Sequence, residues 1–389
     1  MNLRIIVVLP RFPYPLEKGD KLRAYHQLRT LSQNHELYLV ALAEKLPTEE
    51  AIAKIRPFCK EIHIVKLSLL SKCWNIFRAF FKGIPFQCGY FYKKEARNVI
   101  QELVTRVKPD RIYCQLIRTA EYVKQLPVKK VLDYQDVLSK GMQRRWEMGK
   151  WYEKPFFRCE YRRLARYERR VFDYFDEKVI ITEVDRELIP HSENEHIHVI
   201  ANGVASDRYS SYDCPKEFDL IFSGNMGYAP NVDAAEYLVR EILPQLLKKF
   251  PDLRLVLCGA TPAQRVQALQ SEHVIVTGWV DSMAEWYAKS KIFIAPMRMG
   301  TGLQNKLLEA MSMQLPCITS PLAAKPLIDA DLHHAVVSSA CTAEFVEEIA
   351  RLLEDQTHYQ QLAEAGHQYV HQYYDWESAV ESLEELIMS

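Results

Sequence analysis

Short, unbroken apolar runs, each followed by a turn and a helical stretch, constrain this chain more than any other feature. Ile5-Ile6-Val7-Val8-Leu9 is the first of them, and Ile292-Phe293-Ile294-Ala295 has the same character. A run apolar at every position reads as a strand covered on both faces, which is the habit of parallel sheets flanked by helices. Further runs fall at Glu36 to Leu42, Ile62 to Lys66, Arg111 to Cys114, Lys130 to Asp133 and Val179 to Thr182. After residue 216 they resume at Asp219 to Phe222, Leu253 to Cys258, Val274 to Val276 and Pro316 to Thr319. Strand alternating with helix predicts α/β layers. With 389 residues, 48% of them apolar, the chain is too long for one ordinary domain, and two are expected.

The net charge of zero hides an asymmetry. Residues 217–389 carry 11 Lys and Arg against 23 Asp and Glu, leaving 39 against 27 for residues 1–216. A basic first half suits anionic lipid, nucleic acid or the acidic second half. Nine cysteines without a Cys-x-x-Cys pair, several inside apolar runs, read as buried thiols of a reducing compartment. The first apolar run is too short for a secretory leader, and none approaches the ~20 residues of a membrane span. A cytoplasmic protein is expected.

In the first half, Pro10 to Gly19 is a loop after the first strand, before a helix that Asp20 could cap. Gly19, Asp20, Lys21 and Arg23 would lie beyond a strand end, where ligands sit in open α/β sheets; a capped surface helix is the plainer alternative. Between Leu67 and Lys94, aromatics (Phe77, Phe80, Phe81, Phe91) alternate with cations (Lys72, Arg78, Lys82, Lys93). That pattern suits a helix lying in a membrane interface, or a core helix whose cations reach out to water. Asp136, after the Lys130 to Asp133 run, is a candidate for acid/base or hydroxyl-binding work, or a cap for the next turn. Lys140 to Arg170 is densely basic and aromatic, which suits a solvated helix face or anionic lipid. The polar loop from Ala205 to Lys216 is the expected domain boundary.

In the second half, Ser223-Gly224-Asn225-Met226-Gly227 joins strand to helix with small residues that let backbone amides approach phosphate. Gly278-Trp279-Val280 closes a strand where a flat base could lodge. The most informative stretch runs from Pro296 to Ser320. Gly300 and Gly302 free the backbone after a buried strand, and apolar residues then recur at Leu303, Leu307, Leu308, Met311 and Leu315 with a helical period. Lys306 and Glu309 fall one turn apart near the helix start. Helix amides and a cation suit an anionic phosphate, and a carboxylate suits ribose hydroxyls; an ordinary Lys-Glu surface pair is the alternative. Asp329-Ala330-Asp331 reads as a solvated loop, and no Cys/His spacing suits zinc.

The turn Asn202-Gly203-Val204, the strand-loop Phe222-Ser223-Gly224, Gly278-Trp279-Val280 and Gly-Thr-Gly-Leu-Gln-Asn-Lys-Leu-Leu-Glu-Ala-Met at 300–311 together resemble the GT-B glycosyltransferases. Within these, the chain is most similar to the retaining family-four type and to bacterial sugar transferases of exopolysaccharide systems. The resemblance implies two Rossmann-like, doubly wound parallel-sheet domains facing a central cleft: residues 1–204 on the acceptor side, a linker at 205–216, and a nucleotide-sugar domain at 217–372. A helix at 373–389 would cross back to the first domain. By the same resemblance Glu309 would bind ribose, and Gly300, Thr301, Gly302 and Leu303 would face donor sugar and diphosphate. Gly224 and Asn225 would border the diphosphate, Val280 the base and Gly19 the acceptor.

Three departures from the family pattern stand out. Thr301 occupies the position of the first of two glutamates eight residues apart. Asn225 and Met226 stand where Arg and Lys are usual, so Arg298 and Lys306 are expected to supply positive charge. Tyr134-Gln135-Asp136 replaces a customary histidine, which leaves Asp136 as the candidate acid/base. The resemblance implies sugar transfer from a nucleotide diphosphate to a glycan or lipid-linked acceptor, peripherally on the inner membrane face and without metal or other cofactor. A nucleotide-sugar epimerase or a non-catalytic relative of the same fold are the alternatives; the lack of Gly-x-Gly-x-x-Gly after Leu9 speaks against a nicotinamide oxidoreductase.

Overall fold

The computed structural model describes residues 2–16, 18–204, 214–300, 302–328 and 332–389, without the side chains of 69–74, 80 and 148. Thr301, the Asp329-Ala330-Asp331 loop and most of the expected linker lie outside the described residues. The chain divides into one unit comprising Met1–Ala201 with Glu377–Ser389, and a second comprising Asn202–Trp376.

The first unit is built on a seven-stranded sheet. Its strands are β1 (Arg4–Leu9), β2 (Glu36–Ala43), β3 (Glu61–Lys66), β4 (Arg111–Gln115), β5 (Lys130–Asp133), β6 (Glu177–Ile180) and β7 (His198–Val199). They lie in the order β3-β2-β1-β4-β5-β6-β7, and every pairing is parallel. Ile5 through Leu9 are all buried, as an apolar run covered on both faces requires. Ile6, Val8, Val40, Leu42, Ile112, Cys114 and Leu132 pack on one face with Ala96, Ile100 and Leu103 of the helix Lys94–Val107.

The second unit repeats the plan with β8 (Phe218–Ser223), β9 (Leu255–Cys258), β10 (Val274–Gly278), β11 (Ser290–Ala295), β12 (Cys317–Thr319) and β13 (Val337–Ser338). The order β10-β9-β8-β11-β12-β13 again reverses direction beside the first strand, here between β8 and β11. Both units are therefore doubly wound sheets; the apolar runs predict the parallel α/β layers, and the GT-B resemblance implies the doubly wound order. The turn at Asn202-Gly203-Val204 belongs to this unit. Val204 bridges Asp375, and its N–H donates to the Tyr374 carbonyl at 2.7 Å. A Cβ on Gly203 would stand 2.4 Å from the Trp376 nitrogen, so only glycine fits there.

The last helix, Trp376–Met388, returns to the first unit and buries Val380, Leu383 and Ile387, one stripe at helical spacing. Glu384 accepts from Asn34 Nδ2 at 3.0 Å and pairs with His35 at 3.1 Å, while Arg111 Nε donates to the Ile387 carbonyl at 2.7 Å.

Candidate active site

In a parallel sheet every strand delivers its following loop to the same edge. The loops after β8, β9, β10 and β11 therefore gather at one edge of the second unit, and the β8/β11 reversal opens a crevice there. Gly224 and Gly259 make this crowding feasible. Gly259 has φ +141°, and a Cβ on it would lie 1.8 Å from the Gly224 carbonyl oxygen. Two loops thus touch backbone to backbone. Gly300 (φ +109°) and Gly302 (φ +85°) turn the loop after β11 back toward the start of the helix Asn305–Ser312.

The resulting cleft has a volume of about 310 Å³ and is lined by Gly224, Tyr228, Asn231, Gly300, Leu303 and Lys306 among others. The helix buries Leu307, Leu308, Ala310 and Met311 and leaves Lys306 and Glu309 on its partly open face, as the helical period predicts. Lys306 Nζ donates to Asn231 Oδ1 at 2.6 Å, lies 3.7 Å from Met297 Sδ and sits 4.5 Å from the Phe222 ring centroid. This enclosure strips water from the ammonium and pulls its pKa down to about 7, against the opposing attraction of Glu309. The lysine is thereby poised to gain an anion.

Glu309 Oε2 accepts from the Tyr287 hydroxyl at 3.1 Å, and the same hydroxyl lies 2.8 Å from Ser223 Oγ. Tyr287 is fully buried, so it fixes the carboxylate from beneath. Sequence reasoning missed Tyr287 and Asn231 because neither stands in a local motif; the signal available was only an asparagine at the start of the helix after Gly224.

Arg298 is not brought into this cleft. Its guanidinium forks onto Asp233 at 2.8 and 3.0 Å, reaches Glu241 at 3.4 Å and covers the Tyr237 ring. Two carboxylates already meet the charge expected to serve a diphosphate. Asn225 is likewise turned into its own loop, its Oδ1 accepting from the Gly227 N–H and the Thr261 hydroxyl, both at 2.9 Å. Val280 follows β10 at the same edge, half-buried, beside an exposed Trp279.

In the first unit the carboxyl edge holds Asp136, open to solvent on one side, where the surrounding protein displaces water from the carboxylate and raises its pKa against the attraction of Arg144. Leu116 and Gln135, just after β4 and β5, adopt left-handed backbone with φ +59° and +60°, a strain that marks this rim. Gly19 opens the helix Gly19–Leu31 and is exposed. Asp20 lies in the first turn of that helix and pairs with Arg11 instead of capping it. Arg23, expected beside an acceptor, is a core residue at 1% exposure. It donates to Asp133 at 2.6 Å and to the Ala201 carbonyl at 3.3 Å; Asp133 also accepts from Tyr113 and Gln27. Arg118 was not foreseen; it donates to Gln87 at 2.6 Å and covers the Phe91 ring.

Residues 217–355 match the family described as glycosyl transferases group 1. An uncharacterized 44.6 kDa protein in the cps region of Klebsiella pneumoniae is 22% identical in an alignment of 347 residues that covers 83% of this chain and 84% of that protein. Among solved structures, sucrose-phosphate synthase from Thermosynechococcus elongatus superposes with a TM-score of 0.71 at 13% identity, covering 99% of this chain and 98% of that one. HepE of Anabaena, in complex with UDP and glucose, gives a TM-score of 0.69 at 12% identity over 100% of both chains. The two doubly wound units thus make a GT-B fold. Its second unit carries the glycosyl transferases group 1 domain.

Proposed function

We propose that this protein is a glycosyltransferase that moves a hexose-type sugar, with retention, from a nucleotide-diphosphate donor to a glycan or lipid-linked acceptor. One observation carries the donor half: an enclosed Lys306 stands in a glycine-built cleft at a helix start, one turn before a carboxylate held by Tyr287. Sugar transfer breaks the bond between the anomeric carbon and the phosphate oxygen, leaving negative charge on the departing diphosphate. Lys306, made cationic by that anion, and the amides of the Gly300 to Asn305 turn meet this charge where it develops, and no cofactor is used in this reading. Glu309 takes the ribose hydroxyls. Gly302 and Leu303 border the sugar and diphosphate, with Thr301 between them in sequence, and Val280 borders the base. UDP bound to HepE supports a nucleotide diphosphate as ligand.

On the acceptor side, Asp136 is the candidate acid/base and Gly19 and Asp20 border the acceptor. The relative in a Klebsiella cps region supports a place in polysaccharide synthesis; in this reading the reaction is peripheral on the inner face of the membrane. Calorimetry with UDP, GDP, ADP and dTDP identifies the base, and donor turnover follows the sugar. Glu309→Ala is expected to abolish turnover and weaken nucleotide binding at least tenfold while the melting temperature holds; undiminished activity would sink the assignment. With donor alone, slow hydrolysis is expected, whereas conversion to an epimer would reassign the chemistry, and no nucleotide affinity at all would mark a non-catalytic relative.

A further inference from the structure

A second cavity, about 540 Å³ and remote in sequence from the group 1 domain, opens in the first unit among Gly83, Trp146, Trp151, Lys154, Arg158 and Arg162, with Arg166 beside them. Lys154, Arg158, Arg162 and Arg166 recur every fourth residue of the helix Lys154–Phe172, and the three arginines are exposed. Like charges at that spacing repel and weaken a helix. The glutamates of the same helix do not relieve them. Glu160 is buried and accepts from the Phe86 and Gln87 N–H groups at 2.9 and 3.0 Å, and Glu168 is buried on the Ser139 N–H at 2.9 Å. Among the described residues none of the four cations forms an ion pair, and Arg158 only covers the Trp146 ring. A row of cations is held unneutralised around a cavity of headgroup size.

Large apolar side chains surround it. Trp151 is 83% exposed, and Tyr152 and Phe156 are more than half exposed. The helix Leu69–Lys82 adjoins through Arg163, which donates to the Ala79 carbonyl at 3.0 Å, and the segment that follows it adjoins through the Ile84 carbonyl, 3.1 Å from the same guanidinium, and through the stacking of Phe86 on Phe156. That helix presents Phe77 and Phe81, the latter 70% exposed. Exposed Trp, Tyr and Phe beside arginines is the composition of a membrane–water boundary, not of a solvated face. No helix among the described residues is long and apolar enough to cross a membrane. An acidic protein would account for the charges but not for aromatics standing in water around them.

We infer that this face docks on an anionic bilayer, with a lipid headgroup phosphate in the cavity among Lys154, Arg158, Arg162 and Arg166 and with Trp151, Phe77 and Phe81 at the acyl boundary. The inference rests on the peripheral-membrane part of the proposed function and not on the donor chemistry, so nucleotide binding, measured separately, fails or succeeds independently of it.

The test is co-sedimentation of the full chain with vesicles of phosphatidylcholine, and of phosphatidylcholine mixed with an equal part of phosphatidylglycerol. Binding to the mixed vesicles alone is expected, falling as salt rises. An Arg158→Gln, Arg162→Gln, Arg166→Gln triple variant should lose roughly fivefold in affinity per arginine, on the order of a hundredfold together. Arg169→Gln with Arg170→Gln removes two exposed charges from the same helix outside the cavity and should cost far less per charge. Trp151→Ser should weaken binding without changing its salt dependence. Absence of binding to either vesicle, equal binding to both, an equal per-charge loss in the control pair, or retention on immobilised heparin without vesicle binding would each overturn the inference. Should the triple variant not fold, the salt dependence and the Trp151 variant decide it.

Discussion

Lys306 owes its chemistry to its surroundings. Enclosure by Asn231, Met297 and the Phe222 ring holds its pKa near 7, whereas lysine in an unfolded chain titrates near 10.4. Between those values the folded state binds fewer protons than the unfolded one, so the contribution of this group to stability rises with pH across that window and is lost as pH falls through 7. A diphosphate reverses the balance by favouring the ammonium. Binding of UDP at pH 8 is therefore expected to take up a proton, measured by calorimetry in buffers of different ionisation enthalpy, and Lys306→Met should abolish the uptake and weaken binding roughly 10- to 100-fold. Equal uptake in the variant would remove Lys306 from the diphosphate. Asp133 shows the opposite use of a buried charge. It gathers Arg23, Gln27 and Tyr113, so Asp133→Asn leaves a guanidinium buried and uncompensated, at a cost of about 3–5 kcal/mol visible in a denaturant titration.

At the level of elements, two glycines separate function from folding. Gly259 lets the β9 loop touch the Gly224 carbonyl and so shapes the cleft, whereas Gly203 lets the Asn202 to Val204 turn close on Trp376. Gly259→Ala forces the loops of the cleft apart and is expected to lose most nucleotide affinity. Gly203→Ala overpacks a contact away from the cleft and should cost about 1–3 kcal/mol while nucleotide affinity in the folded fraction is kept. Matched melting curves and calorimetry distinguish them; equal loss of affinity in both would mean that the cleft is not shaped by Gly259.

For the whole molecule, the chain returns to its first unit at the end. Val380, Leu383 and Ile387 are buried there, each worth about 1.5–3 kcal/mol on burial. Deleting residues 377–389 is expected to lower or abolish the thermal transition of the first unit, and an unchanged melting curve would contradict that packing. Charge is divided at the same scale: the excess of Lys and Arg lies before residue 217, on the unit that carries the arginine row, and the excess of Asp and Glu lies after it.

The sequence by itself determined the elements and their class. Buried apolar runs, turn glycines and the helical spacing of Leu307, Leu308 and Met311 depend on neighbours a few residues away, so parallel α/β layers in two domains, and a helix offering Lys306 and Glu309 on its open face, were legible without coordinates, whereas the doubly wound strand order came only through the GT-B resemblance. Only the tertiary structure decided which charges work together. Arg298 is claimed by Asp233 and Glu241, Arg23 by Asp133, Lys306 by Asn231 and Glu309 by Tyr287, partners between 22 and 110 positions apart. A long cationic side chain reads the same wherever it stands in a sequence. What it does is set by which carboxylate, ring or amide the fold brings within reach, and by how much water is left around it.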